Sequence, residues 1–148
     1  MENKEVKVLI FTIDDEHYAT DIMEVERILG YEEPTTLPDS PDFIQGVINY
    51  EGNIIPVLSL TKRFGLQKNK IKSDAKIIVA KEKQNKIGII VDVVSEVRDV
   101  IHENIEAAPE IVSGIAKRYI KGLIKIDGKI IIFLNLGTIL TEEEKKLI

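Results

Sequence analysis

Gly46-Val-Ile-Asn-Tyr-Glu-Gly-Asn-Ile-Ile-Pro-Val-Leu-Ser-Leu60 and Gly122-Leu-Ile-Lys-Ile-Asp-Gly-Lys-Ile-Ile-Ile-Phe-Leu-Asn-Leu136 agree at 7 of 15 positions when laid over one another at an offset of 76. Each reads as a β-hairpin. Asp127-Gly128 between apolar runs is a strong two-residue turn signal, because both turn positions need positive φ, and Glu51-Gly52 occupies the same place in the first copy. The shared glycines constrain turn geometry and not merely hydrophobicity.

The match extends outward. Phe43-Ile44 falls on Tyr119-Ile120 at the same offset, and at an offset of 69 Val8-Leu-Ile falls on Ile77-Ile-Val, Ile22 on Val91, Val25 on Val94 and Ile28 on Val97. Two more hairpins are expected, Val8 to Ile13 with Tyr18 to Asp21, and Lys76 to Lys81 with Ile87 to Val94. Short runs of Ile and Val bounded by turn residues are strand signals. The chain is therefore expected to be all-β, a single unit over 1–148 built by internal duplication from two five-stranded barrels. The modules would span approximately 8–70 and 71–140, and curling into a barrel removes the open edges of so few strands. Which barrel the first strand joins is left open, because sequential and intertwined arrangements share this pattern. Pro56 cannot donate to a ladder, so its strand should lie at an edge or carry a bulge. Ile22, Val25 and Ile28 are spaced for a helical face, yet the segment is short enough to be irregular. Thr141 and Glu144 match a capping box opening a short helix over 141–148 that ends in Leu147 and Ile148.

Composition narrows the chemistry. The 148 residues are 44% hydrophobic and 30% charged, with 20 basic and 25 acidic side chains, a net charge of −5 and no Cys. This is a globular composition, and it excludes thiolate catalysis and cysteine metal sites. Lysines are scattered among acids, so nucleic acid is not an expected partner. Met1 to Lys7 lacks the apolar run of a signal peptide and no stretch approaches a membrane span, so a cytoplasmic location is expected. His17 and His102 are thin material for acid–base work. Asp14-Asp15-Glu16-His17 matches no metal-ligand spacing. No glycine-rich phosphate loop is present. Elimination leaves a binding or scaffolding module, without cofactor or metal. The alternatives are a small-ligand or enzymatic β-barrel, which would need a deep polar pocket, or a regulatory module of a larger signalling protein.

The segment Phe43-Ile-Gln-Gly-Val-Ile-Asn-Tyr-Glu-Gly-Asn-Ile-Ile-Pro-Val-Leu resembles the CheW-type chemotaxis coupling proteins, with their F-I-x-G-V-x-N-L-R-G-x-I-x-P-V pattern. Phe11 to Ile22 is similar to the family's opening hairpin, Val25 to Tyr31 to its V-x-E-I-x-G-Y stretch, Gly88 to Val97 to its G-x-x-V-D-x-V-S-x-V block, and Tyr119 to Leu136 to its closing hairpin. The resemblance implies two SH3-like barrels and a non-enzymatic adaptor, recruited to membrane receptor arrays. Its implied partners are the cytoplasmic tip of chemoreceptors and the regulatory domain of the histidine kinase CheA.

By that resemblance, Val25, Arg27, Asn49, Glu51 and Gly52, with Val91 and Asp92, take the receptor-binding positions, and Phe43, Ile44 and Gln45 the kinase-binding ones. Val25 and Val91 fit a core position as well as a surface one. Where the family usually has Glu and Arg, this chain has Arg27 and Glu51, an ion pair with its signs exchanged. The two are expected to form a salt bridge. Ser59 stands where the family usually has Asp.

Overall fold

The structure, a computed structural model, describes residues 4–66, 71–82, 84–109 and 115–146. Eleven strands are formed: β1 (Glu5–Ile13), β2 (Glu16–Asp21), β3 (Val25–Gly30), β4 (Ile44–Tyr50), β5 (Asn53–Leu58), β6 (Lys76–Glu82), β7 (Asn85–Val91), β8 (Val93–Ile101), β9 (Ile105–Glu106), β10 (Ile120–Ile126) and β11 (Lys129–Leu134). Helices are short: α1 (Leu60–Arg63), α2 (Ile115–Tyr119) and α3 (Glu142–Lys146). The apolar spacing at Ile22, Val25 and Ile28 does not produce a helix. A single 3-10 turn, Ile22–Glu24, capped by the Asp21 carboxylate, leads directly into β3.

Three hairpins form with the turns expected of them, and in the fourth β6 pairs with β7, which spans Asn85–Val91, while Val93 and Val94, expected on the same returning strand, open β8. Asp14 and Asp15 (φ 50° and 67°), Glu51 and Gly52 (50° and 83°) and Asp127 and Gly128 (51° and 77°) are all left-handed pairs, the geometry that matches the twist of two paired strands. The acidic cluster at Asp14 and Asp15 is thus a turn.

One sheet has the order β8-β1-β2-β11-β10-β9 and the other β3-β6-β7-β5-β4. Both close. β8 and β9 are two parts of one run, broken only by the 3-10 turn His102–Asn104, and they hold the two edges of the first sheet. In the second, the chain leaving β3 reaches Thr35, which exchanges two backbone hydrogen bonds of 2.9 Å with Val47 of β4, the opposite edge. Two five-stranded, SH3-like barrels result.

The barrels do not follow the sequential halves 8–70 and 71–140. Barrel I takes β3, β4 and β5 from the first repeat and β6 and β7 from the second. Barrel II takes β1 and β2 from the first and β8 to β11 from the second. Each repeat therefore gives its first hairpin to the other barrel, and the two sheets are equivalent strand for strand under the sequence repeat.

Burial follows the alternation of side chains along each strand. Leu9, Phe11 and Ile13 of β1 face a central cluster between the barrels, whereas Val8 and Ile10 fill barrel II. Ile78 and Ala80 of β6 face the centre, whereas Ile77 and Val79 fill barrel I. Strands buried on both faces read as continuous apolar runs, which is why Val8 to Phe11 of β1 and Ile77 to Ala80 of β6 are uninterrupted by a polar residue.

The capping box forms. The Thr141 amide donates to Glu144 Oε1 (2.8 Å) and the Glu144 amide to Thr141 Oγ1 (3.1 Å). Leu147 and Ile148, expected to end this helix, lie outside the described residues.

Candidate functional site

Arg27 lies on β3 beside a register shift between Val25 and Arg27, and its Nη2 stands 3.4 Å from Glu51 Oε2 at the tip of the β4–β5 hairpin. The expected salt bridge is present. Both side chains are about half exposed, 55% and 49%. Glu51 holds a left-handed backbone (φ 50°), a conformation costly for Glu and easier for Asn, Asp or Gly. Beneath the pair, Tyr50 Oη donates to Glu26 Oε2 (2.6 Å), and Lys86 Nζ is 3.1 Å from the same oxygen. Those two donors hold the Glu26 carboxyl below its usual range, the Tyr50 hydrogen bond more than Lys86. The same bond, with burial second, pushes the Tyr50 hydroxyl up to about 12. The exposed pair thus sits on a fixed base, with the Arg27 guanidinium 5.9 Å from the Tyr50 ring centroid.

Barrel II repeats the device. Arg98 on β8 reaches Asp127 at 3.2 Å, and Asp127 is the repeat equivalent of Glu51 at the tip of the β10–β11 hairpin. On both barrels a cation on the strand after the exchanged hairpin closes on an acid at a hairpin tip.

Exposed apolar side chains lie on these strands and on the 3-10 turn that leads into β3. Met23 (77%), Ile28 (41%), Val93 (48%) and Val97 (49%) are four of the eight large hydrophobic residues found exposed among the described residues. They flank Val25 and Val94, repeat equivalents that both pack against the central cluster. β3 and β8 each start at the central cluster, one at an edge of each sheet. The apolar surface they carry is of the kind that marks a protein-binding face.

Other candidate residues divide. Asn49, Glu51 and Gly52 are exposed, and Val25 is half buried at the junction. Val91 is fully buried in the central cluster, because odd-numbered positions of β7 face that core, so it has no surface to offer a receptor. Asp92 is 8% exposed, and its Oδ2 accepts the Asp14 amide (2.8 Å) with Lys72 Nζ at 3.7 Å. Its carboxylate secures the β1–β2 turn to the start of β8. Phe43 is only 6% exposed, again in the central cluster, and so is not a kinase contact in this conformation. Ile44 is half buried against that cluster. Gln45 is half buried too, and its side-chain amide donates to the Asp42 carbonyl (3.2 Å). Ser59 caps α1, accepting the Lys62 amide at 3.3 Å, a role that Asp fills equally well.

Sequence reasoning missed Arg63. Its guanidinium is 7% exposed, lies 4.2 Å from the Phe43 ring and 5.3 Å from the Tyr119 ring, and holds Glu144 of α3 through both carboxylate oxygens at 3.0 and 2.6 Å. Nε donates to the Ile139 carbonyl (3.0 Å). Burial works against ionising Glu144, but the Thr141 amide and Arg63 outweigh it and hold this carboxyl below its usual range. The signal was the repeat itself, since Phe43 and Tyr119 are equivalent aromatics, one per barrel.

The two histidines are far apart. His17 faces Thr12 near one end of β1, and the His102 amide bonds the Lys4 carbonyl beyond the other end, a separation of roughly 27 Å along a strand. Among the described residues no helix is long and apolar enough to cross a membrane.

The family model of the CheW-like domain matches residues 7–144. The "Chemotaxis protein CheW" of Klebsiella aerogenes is 36% identical over 95% of this chain and 84% of its own length. That of Thermotoga maritima is 37% identical over 94% and 90% respectively. Among solved structures, the scaffolding protein TtCheW from Thermoanaerobacter tengcongensis superposes with a TM-score of 0.86 at 34% identity, covering 97% of this chain and 94% of that one. With the duplicated barrels, the hairpin blocks and these relatives in agreement, the chain belongs to the CheW family of chemotaxis proteins.

Proposed function

We propose that this chain is a non-enzymatic adaptor that couples the cytoplasmic tip of chemoreceptors to the regulatory domain of the histidine kinase CheA, in the cytoplasm beneath receptor arrays. The observation that carries this reading is the anchored ion pair Arg27–Glu51 beside the exposed apolar side chains of the 3-10 turn and β3, Met23 and Ile28, with a second exposed pair, Val93 and Val97, on β8. Met23, Ile28, Val93 and Val97 offer contact area, and the pair offers a directional charge pattern. Val25, Arg27, Asn49, Glu51 and Gly52 belong to the receptor-facing set, and Ile44 and Gln45 to the kinase-facing one. An exposed pair adds only about 0–1 kcal/mol to stability, so its weight falls on partner choice, where like charges meeting across an interface penalise the wrong partner.

Co-sedimentation with receptor-bearing membranes and the kinase tests the reading. A ternary pellet is expected, and its absence overturns the coupling role. A double-mutant cycle on Arg27→Ala and Glu51→Ala should show coupling below about 1 kcal/mol in urea unfolding. In receptor binding the coupling should be larger, and equal coupling in both assays would remove the pair from the interface.

A further inference from the structure

The chain leaving β3 does not return to the sheet at once. Thr35 closes barrel I against Val47, and the loop then runs on through Leu37 and turns back to Phe43, just ahead of β4. Three prolines, Pro34, Pro38 and Pro41, fix φ along it. Asp39 holds a left-handed backbone (φ 59°), Ser40 Oγ donates to the Leu37 carbonyl (3.1 Å) and the Ile44 amide donates to the Pro41 carbonyl (3.0 Å). The loop is thereby set in shape before anything binds it.

Between this loop and barrel I lies a cavity of about 320 Å³. Leu37, Pro38 and Pro41 line it from the loop, and Ile44 and Val47 of β4 and Pro56 of β5 line it from the barrel. Leu37 is 42% exposed, so the apolar lining reaches the surface. The polar residues of the lining are Asp39, Ser40 and Glu144, and no basic residue joins them. Two of the three are already engaged, Ser40 within the loop and Glu144 by Arg63 through both carboxylate oxygens. Asp39 is the charge left over. It and the neighbouring Asp42, both exposed, make no ion pair among the described residues. The sequence around them gives the same sign. From Ile28 to Thr61 the charged residues are Glu32, Glu33, Asp39, Asp42 and Glu51, with no Lys, Arg or His. Among the described residues, Glu51 alone of these has a cation, Arg27.

We propose that this cleft docks a short segment of a partner protein in which one large apolar side chain is flanked by Lys or Arg. The apolar side chain fills the cavity, and the flanking cations meet Asp39 and Asp42. Burial against Leu37, Val47 and Pro56 supplies the affinity. The two carboxylates supply choice of partner, since an acidic segment would bring like charges together. Ile44, placed above with the kinase-facing residues, lines this cleft, but the proposal rests on the cleft itself and not on the adaptor reading.

The test uses the whole chain and a fluorescein-labelled pentapeptide, Arg-Lys-Phe-Lys-Arg, followed by anisotropy in about 0.15 M salt, where long-range attraction is screened. Two-dimensional amide NMR places the peptide on the protein. Saturable binding is expected below about 1 mM, with the largest shifts at Leu37, Ser40, Ile44 and Val47. Leu37→Ala and Asp39→Asn alter exposed positions, and Asn accepts a left-handed backbone as Asp does, so both should keep the melting temperature. Leu37→Ala should weaken the peptide about fivefold or more, and Asp39→Asn about threefold. Replacing the peptide's Phe by Ala, at the same charge, should weaken it about tenfold or more. Absence of saturable binding overturns the proposal. So does equal binding of the Ala-centred peptide or of Glu-Glu-Phe-Glu-Glu, undiminished binding by both folded variants, or amide shifts confined to other faces of the molecule.

Discussion

Arg63 holds three parts of the molecule at one point: an aromatic from each barrel and the carboxylate of the terminal helix. A buried cation removed from its partner leaves the opposite charge unpaired, at a cost of about 3–5 kcal/mol. Arg63→Met should lower the urea-unfolding free energy by about 3 kcal/mol, and Glu144→Gln by less, because a neutral amide still accepts from the guanidinium. Tyr18 supplies a second test at this scale. It is 3% exposed, stacked 5.8 Å from the Phe11 ring, and burial, then Glu16 and Asp14, push its hydroxyl up to about 12. The folded state prefers the neutral phenol, so its contribution is complete below the ordinary tyrosine value near 10. As pH rises from there toward 12 the unfolded chain binds fewer protons than the folded one, and stability falls. That loss is on the order of 2 kcal/mol for this residue. Tyr18→Phe should flatten this alkaline limb in thermal melts at stepped pH. The limb will not vanish, since Tyr50 is raised for a different reason, its bond to Glu26.

Among the elements, the hairpins were legible because turn chemistry is local. Asp127-Gly128 and Glu51-Gly52 carry their φ requirement in two residues, and the strands on either side follow by alternation. Ring closure was not legible, since it depends on contacts between segments about a dozen residues apart that carry no pattern of their own. It nevertheless accounts for two repeated glycines. A Cβ on Gly46 would lie 2.3 Å from the Thr35 carbonyl oxygen, and one on Gly122 would lie 2.7 Å from that of Glu106. In each barrel the closing segment passes directly over the glycine. Gly46→Ala and Gly122→Ala should each destabilise by about 2–3 kcal/mol in chemical unfolding, the range expected of overpacking. Gly52→Ala, with open space around it, should cost only its positive φ, about 1 kcal/mol. The site residues were harder to read than the strands. Val91 and Phe43 stand in motifs that suggest contact, but their burial is set by which barrel their strands enter. That assignment depends on pairing across the whole chain.

At the scale of the molecule, the largest cluster lies between the barrels and draws on strands of both repeats. Unfolding should therefore be a single transition by circular dichroism and by tyrosine fluorescence. Neither half should fold alone, because residues 1–70 lack β6 and β7 and residues 71–148 lack β1 and β2. Co-expressed as separate chains, the halves should assemble and recover the native spectrum. Autonomous folding of either half would contradict the shared core. The reciprocal hairpin exchange also has a mechanical meaning. Two barrels joined by a linker swivel, and an angle set at one face is lost before it reaches the other. Here each barrel contains two staves of its neighbour's repeat, so a twist applied to one must shear hydrogen-bonded strands in both. The molecule behaves as a set square, and whatever grips its separate faces inherits a fixed angle between them.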